Sequence, residues 1–415
     1  MQQRLSWPDI SRGLSIIGVV LLHVTMAVPD GAKTVLYGIN GMFAPLRMPL
    51  FFVVAGFFAV KVKNMSLMQL FTKRLWFLLV PFVVFSPIEA WLKRAELNYA
   101  LDKEFPEFKE YVQAVLTGQG MYWFLHALIG FTLILWLSKF LTRWARWSLL
   151  GLAVVGPGIL ASGLMVTHFP DIAALPYHPY LPFLVKYLCY LPPFLLGAYL
   201  RPAIATFAEQ AFHPFAMFLA AVTFWMGYTL LSAAPGPWKD TTNTMSSLLF
   251  LPTAVWCAVF IGYIPVIGRG VRFIGRHTIE VYIGHQLALT AVFGFFFRYR
   301  EEGISLVAEN VVDTTAFWVM VCIPIAFAGG LVIYAIEKVP VIGWSVSHLQ
   351  LPRLPTPPRR VCAHCFSRPP RTHWHRLRGI HPRGAIPKRL GLALWALRNL
   401  ANWPDDRRVE GAWLR

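Results

Sequence analysis

The sequence has few charged residues and, among those, few acids. Of its 415 residues only 14% are charged, and 20 aspartates and glutamates stand against 38 lysines and arginines. So small a charged fraction, beside 56% hydrophobic residues, excludes an ordinary soluble enzyme. Cysteine is also scarce: five are present, and Cys189, Cys257 and Cys322 each lie alone in an apolar segment. This usage is typical of small buried side chains and does not suggest a disulfide framework.

Apolar runs long enough to cross a bilayer recur along the chain. We therefore predict an all-α fold, a polytopic membrane bundle of about ten transmembrane helices. Among the predicted spans, 75–92 carries Pro81 and Pro87, and 180–200 carries Pro192, Pro193 and Lys186, although membrane helices tolerate proline. The spans are 11–28, 43–60, 75–92, 121–138, 147–167, 180–200, 211–232, 246–267, 277–297 and 311–335.

The basic residues are concentrated in alternate loops. Loops 61–74, 139–146 and 268–276 carry lysine and arginine but no acid, whereas the loops between them hold most of the acids. The positive-inside rule then predicts cytoplasmic N- and C-termini. Topology accounts for the basic excess of the membrane part, so we expect no nucleic-acid partner.

Two domains are predicted. Residues 1–345 form a transmembrane domain, in which the long external loop 93–120 is either an amphipathic surface helix, the favoured alternative, or a lid. Residues 346–415 form a basic cytoplasmic tail rich in Pro, Arg, His and Trp, which we predict to be disordered. The tail cysteines and histidines at 362, 365, 373 and 375 lack the helix-forming stretch of a zinc finger, so no metal site is predicted.

Arg12 and His23 lie in the first predicted span, eleven residues apart. A helix returns them to within about 20° of one face, about 16 Å apart along its axis. Ionisable side chains at two depths of a membrane helix are costly and usually functional. His23 is the best candidate for a general base, because imidazole can accept a proton near neutral pH. The alternative is a structural histidine with an arginine that reaches the interface.

Arg47 opens the second predicted span on its external side, at nearly the depth of His23. A buried guanidinium there could stabilise a developing oxyanion or orient a carboxylate. The alternative is an ordinary interfacial arginine. Pro49 then lies early in the helix, and Gly56 is predicted to be a close helix contact.

Other polar groups lie near the helix ends. Tyr122 and Trp123 suit an aromatic belt or a substrate site, and His126 could join a polar cluster with His23 or be a core histidine. On the inner side, Lys73 and Arg74 could form a phosphate site with Arg12, although topology alone explains Lys73. Two further candidates are Glu280, which needs a partner such as Arg12 or Arg276, and His285, a second functional histidine or a packing donor.

These residues, in this order, resemble the acyltransferase 3 family of integral membrane acyltransferases. Two blocks carry most of the resemblance: DISRGLSI at 9–16 with His23 downstream, and RMPLFFVVAGFF at 47–58. Weaker support comes from YWFL at 122–125, the basic residues before Pro81, and IGRHTIEVYIGH at 274–285. The resemblance spans about residues 6–337.

The resemblance implies transfer of an acyl group, commonly acetyl, from cytoplasmic acyl-coenzyme A to a hydroxyl of an extracytoplasmic envelope glycan or glycolipid. It makes His23 the catalytic histidine, with Arg12 and Arg47 in support. We expect Arg12, Lys73 and Arg74 to hold the donor. The expected substrate-binding residues are Tyr122, Trp123, His126, Glu280 and His285.

The protein is accordingly predicted to be a multi-pass O-acyltransferase of the cytoplasmic membrane. It would use acyl-coenzyme A as a substrate and have no permanently bound cofactor. The alternative is a transporter or flippase, in which intramembrane Arg and His line a substrate or proton path.

Overall fold

The computed structural model describes residues 6–105, 107–118, 120–162, 181–233, 236–299, 303–339 and 342–346. The chain divides into two units, Met1–Leu349 and Gln350–Arg415. The second unit lies outside the described residues, and so does nearly all of the predicted tail. The structural account therefore concerns the first unit.

The described residues of this unit are almost entirely helical and contain no strand, which confirms the predicted all-α class. Two π-helical turns, Phe71–Leu75 and Leu289–Gly294, continue α-helices without a break. The α-helices, numbered here in chain order, are α1 (Trp7–Ala27), α2 (Val35–Met42), α3 (Ala44–Ala59), α4 (Leu67–Leu70), α5 (Trp76–Leu101), α6 (Phe108–Leu116), α7 (Trp123–Leu137), α8 (Arg143–Ala161), α9 (Leu181–Tyr199), α10 (Arg201–Glu209), α11 (Pro214–Ala233), α12 (Lys239–Gly262), α13 (Pro265–Arg276), α14 (Thr278–Ala288) and α15 (Thr315–Glu337).

Seven helices of the described chain are long and apolar enough to cross a membrane. The number rises to nine if two bent pairs, Val35–Met42 with Arg47–Asn64 and Phe183–Tyr199 with Arg201–Glu209, each make one span. The chain is thus a multi-pass membrane protein, and the predicted count of ten is not confirmed among the described residues. The predicted span 277–297 is the one absent from that count; α14 and the π-helical turn Leu289–Gly294 lie within it.

Two predicted loops contain helix. The basic loop 268–276 lies inside α13, a strongly amphipathic helix that packs along α1, so describing it as a loop was wrong. The sequence did not predict this helix because glycines interrupt its apolar pattern. In the loop 93–120, α5 continues to Leu101 and α6 follows, which confirms a helix in this segment.

Glycines allow pairs of helices to touch through their backbones. A Cβ on Gly56 of α3 would collide with the carbonyl of Phe194 in α9, and one on Gly197 of α9 would collide with the carbonyl of Val53. The predicted close contact at Gly56 is confirmed. Small residues of this kind let membrane helices approach closely, where dispersion forces replace the hydrophobic effect.

Replacing Gly56 with valine is expected to destabilise the protein by about 1–3 kcal/mol, because α3 and α9 must separate to admit the side chain. Thermal unfolding of the detergent-solubilised protein measures the change. Gly151→Val is the matched control, since nothing lies within 4 Å of a Cβ at that position in α8. An equal loss of stability in both variants would contradict the proposed contact.

Candidate active site

Two cavities open at opposite ends of α1. The first has a volume of about 450 Å³ and includes Arg12, near the start of α1, in its lining. The second has a volume of about 780 Å³ and includes His23, near the end of α1. We call them the Arg12 cavity and the His23 cavity. The two residues that share a helix face therefore reach two separate spaces.

The Arg12 cavity gathers three cations of the predicted donor site. Arg12, Lys73 and Arg74 all line it. Phe58 joins the two arginines, because the Arg12 guanidinium lies 4.8 Å from the centre of its ring and Arg74 Nη2 donates to its carbonyl oxygen at 3.2 Å. Lys73 and Arg74 belong to the π-helical turn Phe71–Leu75, a local distortion that often occurs at functional sites.

One acid of this cavity has a neighbour that differs from those expected. Glu280 also lines the Arg12 cavity, and its Oε1 lies 3.1 Å from His277 Nδ1. Arg276 instead donates through Nε to Asp9 Oδ2 of α1 at 3.2 Å. Of the two partners suggested for Glu280, Arg12 and Arg276, the second is thus paired with Asp9. The spacing along α14 favours His277, which is one helical turn from Glu280.

The His23 cavity brings His23 and Arg47 together. Arg47 Nη1 donates to Oδ1 of Asn40 at 2.9 Å, and Asn40 Nδ2 donates to the carbonyl oxygen of Gly18 at 3.0 Å. The Asn40 amide thus fixes the guanidinium against α1, one turn and a half before His23. Arg47 Nε is buried and has no hydrogen-bond partner within the described chain, so the guanidinium retains a donor.

His285 lies behind His23, away from the cavity lining. The two imidazole rings are 5.1 Å apart between centroids and meet edge to face at 63°. His285 is buried, and its Nδ1 is 3.0 Å from the carbonyl oxygen of Val281. Since a carbonyl only accepts, Nδ1 carries a proton in this contact. The structure therefore places His285 as a contact of His23.

A family model described as an acyltransferase domain matches residues 5–335. This chain belongs to the acyltransferase 3 family. The resemblance predicted from the sequence is confirmed, over nearly the same residues. No curated protein and no solved structure matches the chain. Family membership makes the protein a membrane acyltransferase, so its two cavities are those of an enzyme that must bring an acyl donor and an acceptor together.

Of the predicted substrate-binding residues Tyr122, Trp123 and His126, only Trp123 lines the His23 cavity of this acyltransferase. Tyr122 points elsewhere, because its buried hydroxyl donates to the carbonyl oxygen of Ile283 at 2.8 Å. His126 lies outside the lining of both cavities, with Nδ1 2.7 Å from the hydroxyl of Tyr187. His126 therefore does not join His23, one of its two predicted alternatives, because the turn of α7 that carries it faces α9.

The acyltransferase also has cavity residues that the sequence prediction missed. Glu89, Lys93, Arg94, Lys186 and Tyr190 line the His23 cavity. Lys186 Nζ lies 3.7 Å from the centre of the Trp123 ring, a cation–π contact. A signal for two of them was present, since Glu89 and Lys186 interrupt apolar runs and an intramembrane ionisable residue suggests a function.

In the part of the acyltransferase that the structure describes, no group of three His, Cys, Asp or Glu side chains could hold a metal ion. The tail residues considered for a metal site lie outside the described residues. The chemistry available in the His23 cavity is that of an imidazole beside a guanidinium. Such a pair can accept a proton and stabilise negative charge on oxygen.

Proposed function

We propose that the protein moves an acyl group, commonly acetyl, from cytoplasmic acyl-coenzyme A to a hydroxyl of an extracytoplasmic envelope glycan or glycolipid, across the cytoplasmic membrane. The observation that carries the proposal is the division of polar groups along α1. A cluster of cations surrounds Arg12 at one end, and an imidazole with an arginine lies at the other.

The Arg12 cavity is the proposed donor site. Arginine and lysine bind phosphate oxygens through charge-assisted hydrogen bonds, and coenzyme A carries phosphates at one end and its thioester at the other. Phosphates near Arg12, Lys73 and Arg74 leave the flexible arm of the donor free to extend along α1. The distance from Arg12 to His23 along that helix is about 16 Å.

The His23 cavity is the proposed acceptor and reaction site. His23 accepts the proton of the acceptor hydroxyl as its oxygen attacks the thioester carbonyl carbon. Arg47 stabilises the oxyanion of the tetrahedral intermediate. The carbon–sulfur bond then breaks, and the acyl group stays on the acceptor oxygen as an ester. The thiolate of coenzyme A takes the proton that His23 accepted and leaves as the thiol.

Aromatic and charged groups support a sugar acceptor in this cavity. Trp123 and Tyr190 have ring centroids 5.3 Å apart and offer a broad apolar surface. Glu89, Lys93 and Arg94 supply hydrogen-bonding groups around it. Flat aromatic surfaces beside polar groups suit a ring that carries both C–H faces and hydroxyls.

The donor site is tested by replacing Arg12 with alanine. We expect the KM for acetyl-coenzyme A to rise about tenfold or more, because a hydrogen bond to a charged group is lost, with a smaller change in kcat. Sealed inside-out vesicles expose the proposed donor side, so labelled donor added outside should be used there and not in right-side-out vesicles.

Arg269→Ala is the matched control for this test. Arg269 is an exposed arginine of α13 that donates to the carbonyl oxygen of Pro265 and lies outside both cavity linings. Its KM should equal that of the wild type. An unchanged KM in Arg12→Ala, or equal use of donor from both sides, would contradict the proposed donor site.

The arrangement of two cavities at opposite ends also suits the alternative of a transporter. Family membership favours the transferase. The two are distinguished by the product, because a transferase leaves label covalently bound to the acceptor, whereas a transporter moves an unchanged molecule.

A further inference from the structure

Tyr282 lies between the two cavities. Within the described chain it is the one side chain in the lining of both the Arg12 cavity and the His23 cavity. Its side chain is only 7% exposed, and its ring lies 5.6 Å from that of Phe124 and 6.0 Å from that of His285, between centroids. The ring therefore forms part of the wall of both cavities.

Reciprocal hydrogen bonds hold the ring in place. The Tyr282 hydroxyl donates to the carbonyl oxygen of Met121 at 2.8 Å and accepts from the backbone N–H of Phe124 at 3.4 Å. In return, the Tyr122 hydroxyl donates to the carbonyl oxygen of Ile283. The middle of α14 is thus joined twice to the start of α7.

The opposite side of α14 cannot move away easily. A Cβ on Gly284 would collide with the carbonyl of Gly329 in α15, so these backbones already touch. Tyr282 is consequently fixed by α7 on one side and by α15 on the other. Because the backbone is held, the space beside the ring is set by the ring itself.

We propose that Tyr282 is the barrier between the donor and acceptor cavities and that its ring limits the length of the acyl chain that reaches His23. This inference rests on the proposed function, since it assigns the two cavities to donor and acceptor. A short chain fits beside the anchored ring, and a longer chain is excluded by contact with it. Tyr282 is thus a specificity-determining residue.

The test compares acyl-coenzyme A donors of two, four, six and eight carbons with the full-length protein in membranes. Tyr282→Ala is expected to raise kcat/KM for the six-carbon donor, relative to acetyl, by about tenfold or more. The reason is that each extra methylene that fits in a pocket changes kcat/KM by about tenfold or more. Tyr282→Phe keeps the ring and should keep the wild-type preference. Tyr282→Leu, an intermediate size, serves if the alanine variant does not fold.

Two controls remove exposed aromatic rings that line neither cavity: Tyr228→Ala in α11 and Tyr263→Ala just after α12. Neither should change the ratio between the six-carbon and two-carbon donors. A ratio that stays at the wild-type value in both Tyr282→Ala and Tyr282→Leu, or that shifts equally in the controls, would overturn the proposal.

A second measurement separates this inference from the proposed function. If the wild type transfers no acyl group from any of these donors, the donor assignment fails, and proton leakage through protein-containing vesicles decides whether Tyr282 is a barrier. Faster leakage in Tyr282→Ala than in the wild type and Tyr228→Ala supports the barrier. Equal leakage in all three overturns it.

Discussion

Replacing His23 with alanine is expected to lower the rate of acyl transfer by about 10²–10⁴-fold, the contribution typical of a general base. The imidazole lines the His23 cavity beside Arg47, and the described structure places no other histidine in that lining. Without it, the acceptor hydroxyl must lose its proton to water or to a less suitable group. The rate of label transfer at saturating donor, in membranes with equal amounts of protein, measures the effect.

His213→Ala provides the matched control for His23. His213 is exposed just before α11 and lies outside both cavities, so its replacement should leave the rate close to that of the wild type. The elution profile and thermal unfolding of His23→Ala should also match the wild type, since the His23 side chain is only partly buried. Normal turnover in a folded His23→Ala would remove this residue from the mechanism.

Replacing Arg47 with methionine is expected to lower kcat by about 10²–10³-fold, the effect of losing one donor to a developing oxyanion. Methionine keeps much of the volume of the side chain but removes the charge and every N–H. Because Asn40 holds the guanidinium against α1, the donor is positioned before substrate binds. Arg47→Lys should recover only part of the rate, since an ammonium lacks the planar fork.

Arg201→Met is the corresponding control. The Arg201 guanidinium lies 5.2 Å from the centre of the Phe57 ring, and the residue lines neither cavity. Single-turnover rates should fall only in the Arg47 variants. A normal kcat in Arg47→Met, combined with reduced thermal stability, would show that Arg47 supports the helix packing and not the transition state.

Features within one helix could be predicted from the sequence. The periodicity of a helix is enough to align Arg12 with His23 and to separate them in depth, and the structure places the two side chains in different cavities. Gly56 was likewise predictable, because a small residue in an apolar helix indicates close approach. The all-α class follows from apolar runs of sufficient length.

Features between distant helices could not be predicted in the same way. Tyr122 and Ile283 are 161 residues apart, and nothing local to either indicates that the hydroxyl of one binds the carbonyl of the other. The sequence left His126 open between a cluster with His23 and a core histidine, because the direction of its side chain depends on α9 and Tyr187. Which neighbour an apolar helix faces is decided by packing across the bundle, which periodicity does not report.

The count of ten spans is not confirmed in the described residues, and 277–297 is the predicted span that is not among those found. Its helix contains the π-helical turn Leu289–Gly294, a local irregularity that hydropathy does not reveal. Glu89 and Lys186 lie in apolar segments whose length predicts a span, but that length does not indicate which cavity their charges face.

The most direct measurement of the central claim is the transfer of radiolabelled acetyl from acetyl-coenzyme A to envelope material, comparing membranes of the wild type and His23→Ala at equal expression. We predict that the wild type incorporates label into a glycan or glycolipid fraction through an alkali-labile ester and that the variant loses it. Equal label in both would contradict the role of His23. The absence of label in both would contradict acetyl-coenzyme A as the donor.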